Sequence, residues 1–508
     1  NNDSIYWWMT QIAGRNNSYS NFYLNICQFF AIKDYLKNNS KETILIVCED
    51  IFLLKLIYQN FSSEFKVKIP FLSKFYLSKD IFNLFLKGLL SQFKTIIFLV
   101  LNYFCARASR PKKIIKPRGN ITLFHHCLDD LNVFKDNNMT CKYFTILPDW
   151  LKKKGLIVYS LPWLFKNRTS IKFYKNLRKT NYLIPEDWLS LTDYFLAFKN
   201  AIKSLKTLSY NIPYPGIKLD QLVFREKLHQ FGEQSAIFWR YIPAIKKWGS
   251  EIDSITLYDR YENMMSEHPI RYILKKMPVK STLIGFYHSL ISREYMAYHY
   301  LKSEWDSQVK PDYVACLGSF SQNILLEQGV PKERILTAAS LRQPFDQKKT
   351  IVKKSPKNIL ILLSLFTEPN LENLTKIYLN NSLIINELNL KVRVKAHPMM
   401  NKKSILKKIK WNSLPTGWEW SKKSLYEELS ESYCTISMST ASIFDAIIMG
   451  NVVISVMSEL NIMDNYLDVF SDKHELVNAV PEAQLASKLK DIFILKKKNY
   501  EDEILKIR

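Results

Sequence analysis

The spacing of apolar positions changes along this chain, and each change marks an element. From Asn21 to Leu36 apolar residues recur at three and four, which predicts a helix. Thr43-Ile44-Leu45-Ile46-Val47-Cys48 is a short apolar run stopping at Glu49 and Asp50, and predicts a strand feeding a helix from Ile51 to Tyr58. Further strands are predicted at Asn120 to Phe124, Gly155 to Leu161, Ser254 to Leu257 and Ser281 to Phe286, with a mainly helical insertion near 188–250. Asp312 to Gly318 reads as a strand running into a tight turn. A helix from Ser321 to Gln328 follows, closed by Gly329, and then a short strand at Arg334 to Thr337.

Gln343 to Ser355 is polar and Lys-rich, and marks a linker. Beyond it strands predicted at Asn358 to Leu363, Lys391 to Lys395, Tyr433 to Ser437 and Val452 to Val456 alternate with helical stretches. Strands alternating with helices imply a parallel, doubly wound sheet. The expectation is therefore an α/β chain of two Rossmann-like domains, 1–345 and 346–508, facing a cleft at their strand ends. A length of 508 residues agrees with more than one core.

Composition changes this picture little. Hydrophobic residues at 47% and charged residues at 23% are those of a folded chain. The formal charge of +25 is spread along the sequence rather than gathered in an arm, and no nucleic-acid motif accompanies it, so nucleic acid is not an expected partner. A diffuse positive surface suits phosphate-bearing donors, acidic glycans or anionic lipid. The seven cysteines show no C-x-x-C spacing, which reads as reduced, cytoplasmic thiols without a zinc site. The chain begins at Asn1, so its true start is left open, and no signal peptide is visible in it.

One segment complicates a simple reading. Ile81 to Ala106 is strongly apolar and is followed by Arg107, Arg110, Lys112 and Lys113. Its uninterrupted core, Ile96 to Leu101, is too short to span a bilayer as it stands, and Lys87 and Lys94 interrupt the rest. Three readings stay open: a buried helix followed by a core strand, an interfacial amphipathic segment backed by a basic flank, or a true span. The second would make the protein peripheral at the inner face of the cytoplasmic membrane, with an anionic membrane surface as partner.

Candidate chemistry is narrowed by what is missing. There is no G-x-G-x-x-G, no G-x-x-x-x-G-K-[ST], no H-E-x-x-H, no G-x-S-x-G and no D-x-D, so no metal site or cofactor is expected. Lys395-Ala396-His397-Pro398 ends a predicted strand and presents a point charge and a ring donor suited to phosphate; a solvated Lys and a structural His fit the same residues. Ser437-Met438-Ser439-Thr440-Ala441-Ser442 puts hydroxyls at a strand-to-helix turn, with Asp445 one turn in, where its carboxylate can accept ribose hydroxyls. An ordinary Ser/Thr helix cap with an acidic first turn fits equally.

Together Lys395-x-His397-Pro398, the hydroxyl-rich turn and Asp445-Ala446-x-x-x-Gly450-x-Val452-Val453-Ile454 resemble the C-terminal half of GT-B glycosyltransferases. The nearest resemblance is to the bacterial sialyltransferase, polysialyltransferase and capsule-polysaccharide group. Tyr258-x-x-x-Glu262-Asn263, Gly285-Phe286-Tyr287-His288-Ser289, Pro311-Asp312 through Gly318, Gly329-Val330-Pro331-x-x-Arg334-Ile335 and Asp149-Trp150-Leu151-x-x-x-Gly155 add to it. The resemblance implies a GT-B-like fold and metal-independent transfer of a sugar from a nucleotide donor, a CMP-activated acidic sugar being one such donor, to a surface polysaccharide or lipid-linked glycan. It also implies that Lys395, His397, Ser439, Thr440, Ser442 and Asp445 hold the nucleotide, with Arg342 as a further phosphate contact. The acidic motif that supplies the base in the sialyltransferase group is absent, which leaves His288 and Glu262 as candidates. A CDP-polyol phosphotransferase, a nucleotide-sugar epimerase of related fold, and a non-catalytic glycan-binding scaffold are the alternatives. The His125-His126 pair beside Asp129-Asp130 is too sparse for metal and is expected at a cleft edge at most.

Overall fold

A computed structural model of the chain describes residues 4–495, apart from 17–19, 40–42, 49, 63–70, 129–142, 165–169, 209–216, 289–292, 294, 342–354, 365–366, 398–399, 458–466 and 468–476. The chain divides into two compact units, Asn1–His288 with Met296–Pro344, and Ser289–Tyr295 with Phe345–Arg508.

The first unit is built on a six-stranded parallel sheet of β1 (Gly119–Leu128), β2 (Ile157–Leu164), β3 (Ile252–Arg260), β4 (Lys280–Phe286), β5 (Tyr313–Leu317) and β6 (Ile335–Ala338), in the order β2-β1-β3-β4-β5-β6. The second carries another, made of β7 (Ser355–Leu362), β8 (Lys391–Lys395), β9 (Trp418–Trp420), β10 (Ser432–Ser437), β11 (Val452–Met457) and β12 (Val477–Pro481), in the order β12-β11-β10-β7-β8-β9. Both are the doubly wound parallel sheets that the alternation of strands and helices predicts.

The strands are apolar on both faces because helices cover both faces. In β7, Ile359 and Ile361 join one core with Cys434, Ile436 and Ile454, while Leu360 and Leu362 join the opposite core with Val453. The first sheet divides in the same way, Leu123, Leu257 and Leu283 on one side and Phe124, Tyr258 and Phe286 on the other. Gly329 closes the helix Gly318–Glu327 with φ +89°, and a Cβ there would lie 2.7 Å from the Tyr300 carbonyl oxygen, so only glycine fits.

Two expectations are corrected. Thr43 to Cys48 joins no sheet among the described residues. Its alternation is genuine, since Ile44, Ile46 and Cys48 pack inward while Leu45 and Val47 are exposed. The surface it packs on is helical: the core formed by Phe22–Asn38 and Ile51–Phe61, so period two here records docking on helices rather than strand pairing. Asp50 caps the second of these helices, accepting from Phe52 N at 2.9 Å. The other correction concerns Ile96 to Leu101, which is no strand but the middle of one helix, Phe71–Ala108. Nothing in that run breaks a helix: no proline stands between Pro70 and Pro111, and Lys87 and Lys94 are good helix formers. Strands β9 and β12 were not predicted; both are short sheet edges, three and five residues long.

Candidate functional site

In an open parallel sheet, ligands bind outside the carboxyl ends of the strands where the strand order reverses. In the second unit that point lies between β10 and β7, and the sequence motifs surround it. The register pairs Leu362 of β7 with Lys395 of β8 on one side and with Ser437 of β10 on the other. Lys395, Leu362 and Ser437 thus form one row across the sheet, about 10 Å from end to end. His397 leaves the sheet two residues after Lys395, and the Ser439 turn two residues after Ser437.

The turn has an unusual backbone. Ser439 adopts φ +54°, a left-handed conformation that L residues other than Asn and Asp seldom take. Ser439, Thr440 and Ser442 are all half-buried, and so accessible to a ligand. The Thr440 hydroxyl accepts from Ser442 N at 3.4 Å, so it serves the turn as well as any ligand. The helix that follows, Ile443–Ile448, is only six residues long. Its dipole is correspondingly small, and anion binding here must rest on hydroxyls, turn N–H groups and basic side chains. Asp445 is 5% exposed, in contrast to the open position expected for a ribose-binding carboxylate.

The Lys395 ammonium donates to the Lys423 carbonyl at 2.6 Å, which anchors it over the sheet edge. An ammonium has three donors, so this bond leaves capacity for an anion. Partial burial lowers its pKa; Glu428 pulls it up again and Lys402 lowers it further. His397 is half-buried, and its carbonyl accepts from Met400 N at 2.8 Å. Arg342 and Pro398 lie outside the described residues.

In the first unit the order reverses between β1 and β3, and the polar residues again gather at the carboxyl edge. Arg260 pairs in register with Phe286, so Glu262 and His288, two residues further on each chain, come together. His288 Nε2 lies 3.5 Å from Glu262 Oε1, and Glu262 Oε2 lies 3.7 Å from the Arg260 guanidinium. The two candidate bases therefore form one pair. Gly285 permits the approach of the β3 turn, since a Cβ there would meet Tyr261 at 2.9 Å. Sequence reasoning missed Arg260, Tyr143 and Trp163: the guanidinium lies 4.3 Å from the Trp163 ring and 5.5 Å from Tyr143, whose ring stands edge-on to His288 at 4.5 Å. The available signal was the run Asp259-Arg260-Tyr261-Glu262 at a strand's end.

Beneath this edge is a buried charge network. Arg271 makes two bonds to Asp259, at 2.7 and 2.9 Å, and one to Glu267 at 2.9 Å, all essentially without solvent exposure. Burial raises the Asp259 carboxyl and pushes Glu267 up to about 8, against the opposing pull of Arg271. The Glu262 backbone N–H donates to Glu267 Oε1 at 3.0 Å, which ties the candidate base to the network. Asn263, part of the same motif, is fully buried and holds His268, Lys310 and the Gly14 carbonyl. That half of the motif is structural.

The His125-His126 pair, expected at a cleft edge, is interior instead. Both rings are buried, with His126 Nε2 3.3 Å from Ser160 Oγ, and burial beside Arg260 holds His125 well below the usual histidine range. Among the described residues no group of three or more His, Cys, Asp or Glu is placed to hold a metal ion.

No family model matches the chain, and no curated protein matches it significantly. Solved structures do. A UDP-GlcNAc 2-epimerase from Methanocaldococcus jannaschii is 12% identical, over 75% of this chain and 94% of that one, with a TM-score of 0.40. The lipopolysaccharide outer core galactosyltransferase WaaB is 10% identical, over 76% and 94%, with a TM-score of 0.40. A glycotransferase of kitacinnamycin is 8% identical, over 77% and 94%, with a TM-score of 0.41. A likeness at this level assigns no activity.

Proposed function

We propose that the chain is a GT-B-type glycosyltransferase whose second unit binds the nucleotide-sugar donor at the carboxyl edge of its sheet. The observation that supports this most is the common row of Lys395 and Ser437 across the strand-order reversal, with the left-handed Ser439 turn directly beyond it. Lys395, His397, Ser439 and Ser442 stabilise the departing nucleotide phosphate. The Glu262–His288 pair takes the proton of an acceptor hydroxyl as its oxygen bonds to the anomeric carbon. The bond from that carbon to the phosphate oxygen breaks, and the nucleotide leaves with the electron pair. The 3.5 Å contact between His288 Nε2 and Glu262 Oε1 lets the pair act together as the acceptor of that proton.

The donor expected is a CMP-linked acidic sugar and the acceptor a bacterial surface polysaccharide or lipid-linked glycan. A thermal-shift screen against CMP, CDP, UDP and GDP tests the reading, because a ligand stabilises the state it binds. A rise in melting temperature with one nucleotide, followed by transfer assays with sugars of that nucleotide, is the expected result. Activity is expected to survive chelator treatment. No shift with any nucleotide overturns the proposal, and a shift without transfer moves it to the epimerase alternative.

A further inference from the structure

We infer that the outer face of the helix Phe71–Ala108 seats the protein on an anionic lipid bilayer, lying along the membrane interface. The inference stands apart from the nucleotide reading and rests on a long apolar face that this helix leaves exposed.

Its protein-facing side mixes core residues, Phe98, Leu99 and Ala106 among them, with polar anchors. Gln92 donates to the Phe231 and Glu233 carbonyls at 2.5 and 3.0 Å, Ser91 accepts from Gln234 at 3.2 Å, and Asn102 accepts from the Tyr174 hydroxyl at 2.6 Å. Gly88 lets the helix Asp220–Gly232 close in, since a Cβ there would meet Phe231 at 2.6 Å. The side facing away carries Phe82, Leu86, Leu89, Phe93, Ile97 and Phe104, spaced at three, four or seven, and all are exposed. Phe82 and Phe93 are each 63% exposed. In water so long an exposed apolar stripe is unfavourable.

Length and composition alone would let Tyr76–Ala108 cross a membrane. The packing argues for the interfacial orientation. From Gly88 through Arg107, which donates to the Leu189 carbonyl at 2.8 Å, the helix is fastened to the first unit along one side. A spanning helix would need about 20 residues surrounded by lipid or apolar protein. Here the stripe from Phe82 to Phe104, roughly 33 Å long, offers one flank only.

Charge selects the occupant. Lys87 and Lys94 lie exposed on the same helix, and Arg110, Lys112 and Lys113 follow its end. Asp80 is the only acidic residue from 71 to 118. A neighbouring helix, Leu191–Thr207, touches this one through Tyr194 against Tyr103, and exposes Leu191, Phe195 and Ile202 together with Lys199, Lys203 and Lys206. Pairing with a second copy through this face would set like charges together, whereas lipid phosphates complement them.

The test uses the full chain and flotation with vesicles of phosphatidylcholine alone or mixed with phosphatidylglycerol. Wild type is expected to float with the mixed vesicles and to be released by salt. The Arg110→Glu/Lys112→Glu/Lys113→Glu variant should partition roughly a hundredfold more weakly, and Phe82→Glu/Phe93→Glu should not float. Their side chains are exposed, so melting temperature and nucleotide response should be unchanged, which separates this inference from the proposed catalytic role. A Phe93→Trp variant should have its added fluorescence quenched by brominated acyl chains. Wild type that ignores anionic vesicles, absence of that quenching, or a wild-type dimer that Phe82→Glu/Phe93→Glu converts to monomer would each overturn the inference.

Discussion

The two sheet edges carry their polar groups in opposite ways. At the edge of the first unit, Arg260, Glu262 and His288 rest on a sealed network of Arg271, Asp259 and Glu267. At the edge of the second, Lys395 is held by a backbone carbonyl and the Ser439 turn by a left-handed φ, beside the buried carboxylates of Glu428 and Asp445. Fixed charges beneath a site hold a proton-transferring pair in place at a cost in desolvation. A hydroxyl-lined turn suits a ligand that brings its own charge and leaves with it. The contrast matches a division between acceptor activation and donor binding.

The largest break in this comparison should come from Arg271→Ala. It leaves Asp259 and Glu267 buried without their cation, and removing one partner of a buried pair costs about 3–5 kcal/mol. Thermal unfolding followed by calorimetry should show the loss in the transition of the first unit. If stability hardly changes, the network is not what holds the Glu262 edge.

The next effect concerns how far the first unit tolerates buried charge elsewhere. Glu226 is 3% exposed on the helix Asp220–Gly232, with Ser20 donating to it at 2.8 Å. Burial pushes its carboxyl up to about 7 from 4.5; the Ser20 bond and Arg225 oppose the shift. A raised folded-state value means its favourable contribution is complete below about pH 4.5 and is lost as pH rises through 7. Glu226→Gln should therefore come close to wild type at pH 4.5 and exceed it by about 3 kcal/mol at pH 8, since about 2.5 units at about 1.4 kcal/mol each separate 4.5 from 7. Denaturant titrations at the two pH values check this, and equal stability at both would place the carboxylate in contact with water.

How much of this was legible in the sequence depended on whether a pattern had one physical cause. Strand β8 was predicted at its observed bounds because Lys391 to Lys395 alternates and ends in a charged residue at the sheet's edge. Both sheets followed from the same regularity. Thr43 to Cys48 misled because a chain lying on helices and a paired strand alternate alike. Ile96 to Leu101 misled because a short apolar run does not declare its period. At the sites, the contact between His288 and Glu262 required the β3–β4 register, which no local motif contains. The burial of His125 and Asp445 likewise depends on what packs over them.

On the donor edge, His397→Ala and Ser439→Ala should each weaken nucleotide binding by about 1–3 kcal/mol if their groups donate to a charged phosphate. Glu262→Gln and His288→Ala should leave that affinity intact while lowering kcat. Calorimetric titration with the nucleotide found by the screen, beside initial rates, separates the two. Equal loss of affinity in both sets would remove the division between the edges.

The smallest effect sharpens the comparison most, because it distinguishes the Ser439 hydroxyl from the backbone that presents it. At φ +54° a β-branched side chain is strongly disfavoured and glycine is at ease. Ser439→Gly should therefore keep the fold and gain up to about 1 kcal/mol of stability while losing nucleotide affinity. Ser439→Val should lose both, the stability by about 1–2 kcal/mol, since strain of this kind costs of that order. If Ser439→Gly binds nucleotide as wild type does, the turn's N–H groups hold the phosphate and the hydroxyl is incidental. If Ser439→Val is as stable as wild type, the left-handed turn is not enforced by its surroundings. The turn would then cost no more than the φ +54° that Asn263, an asparagine at ease there, adopts at the first edge.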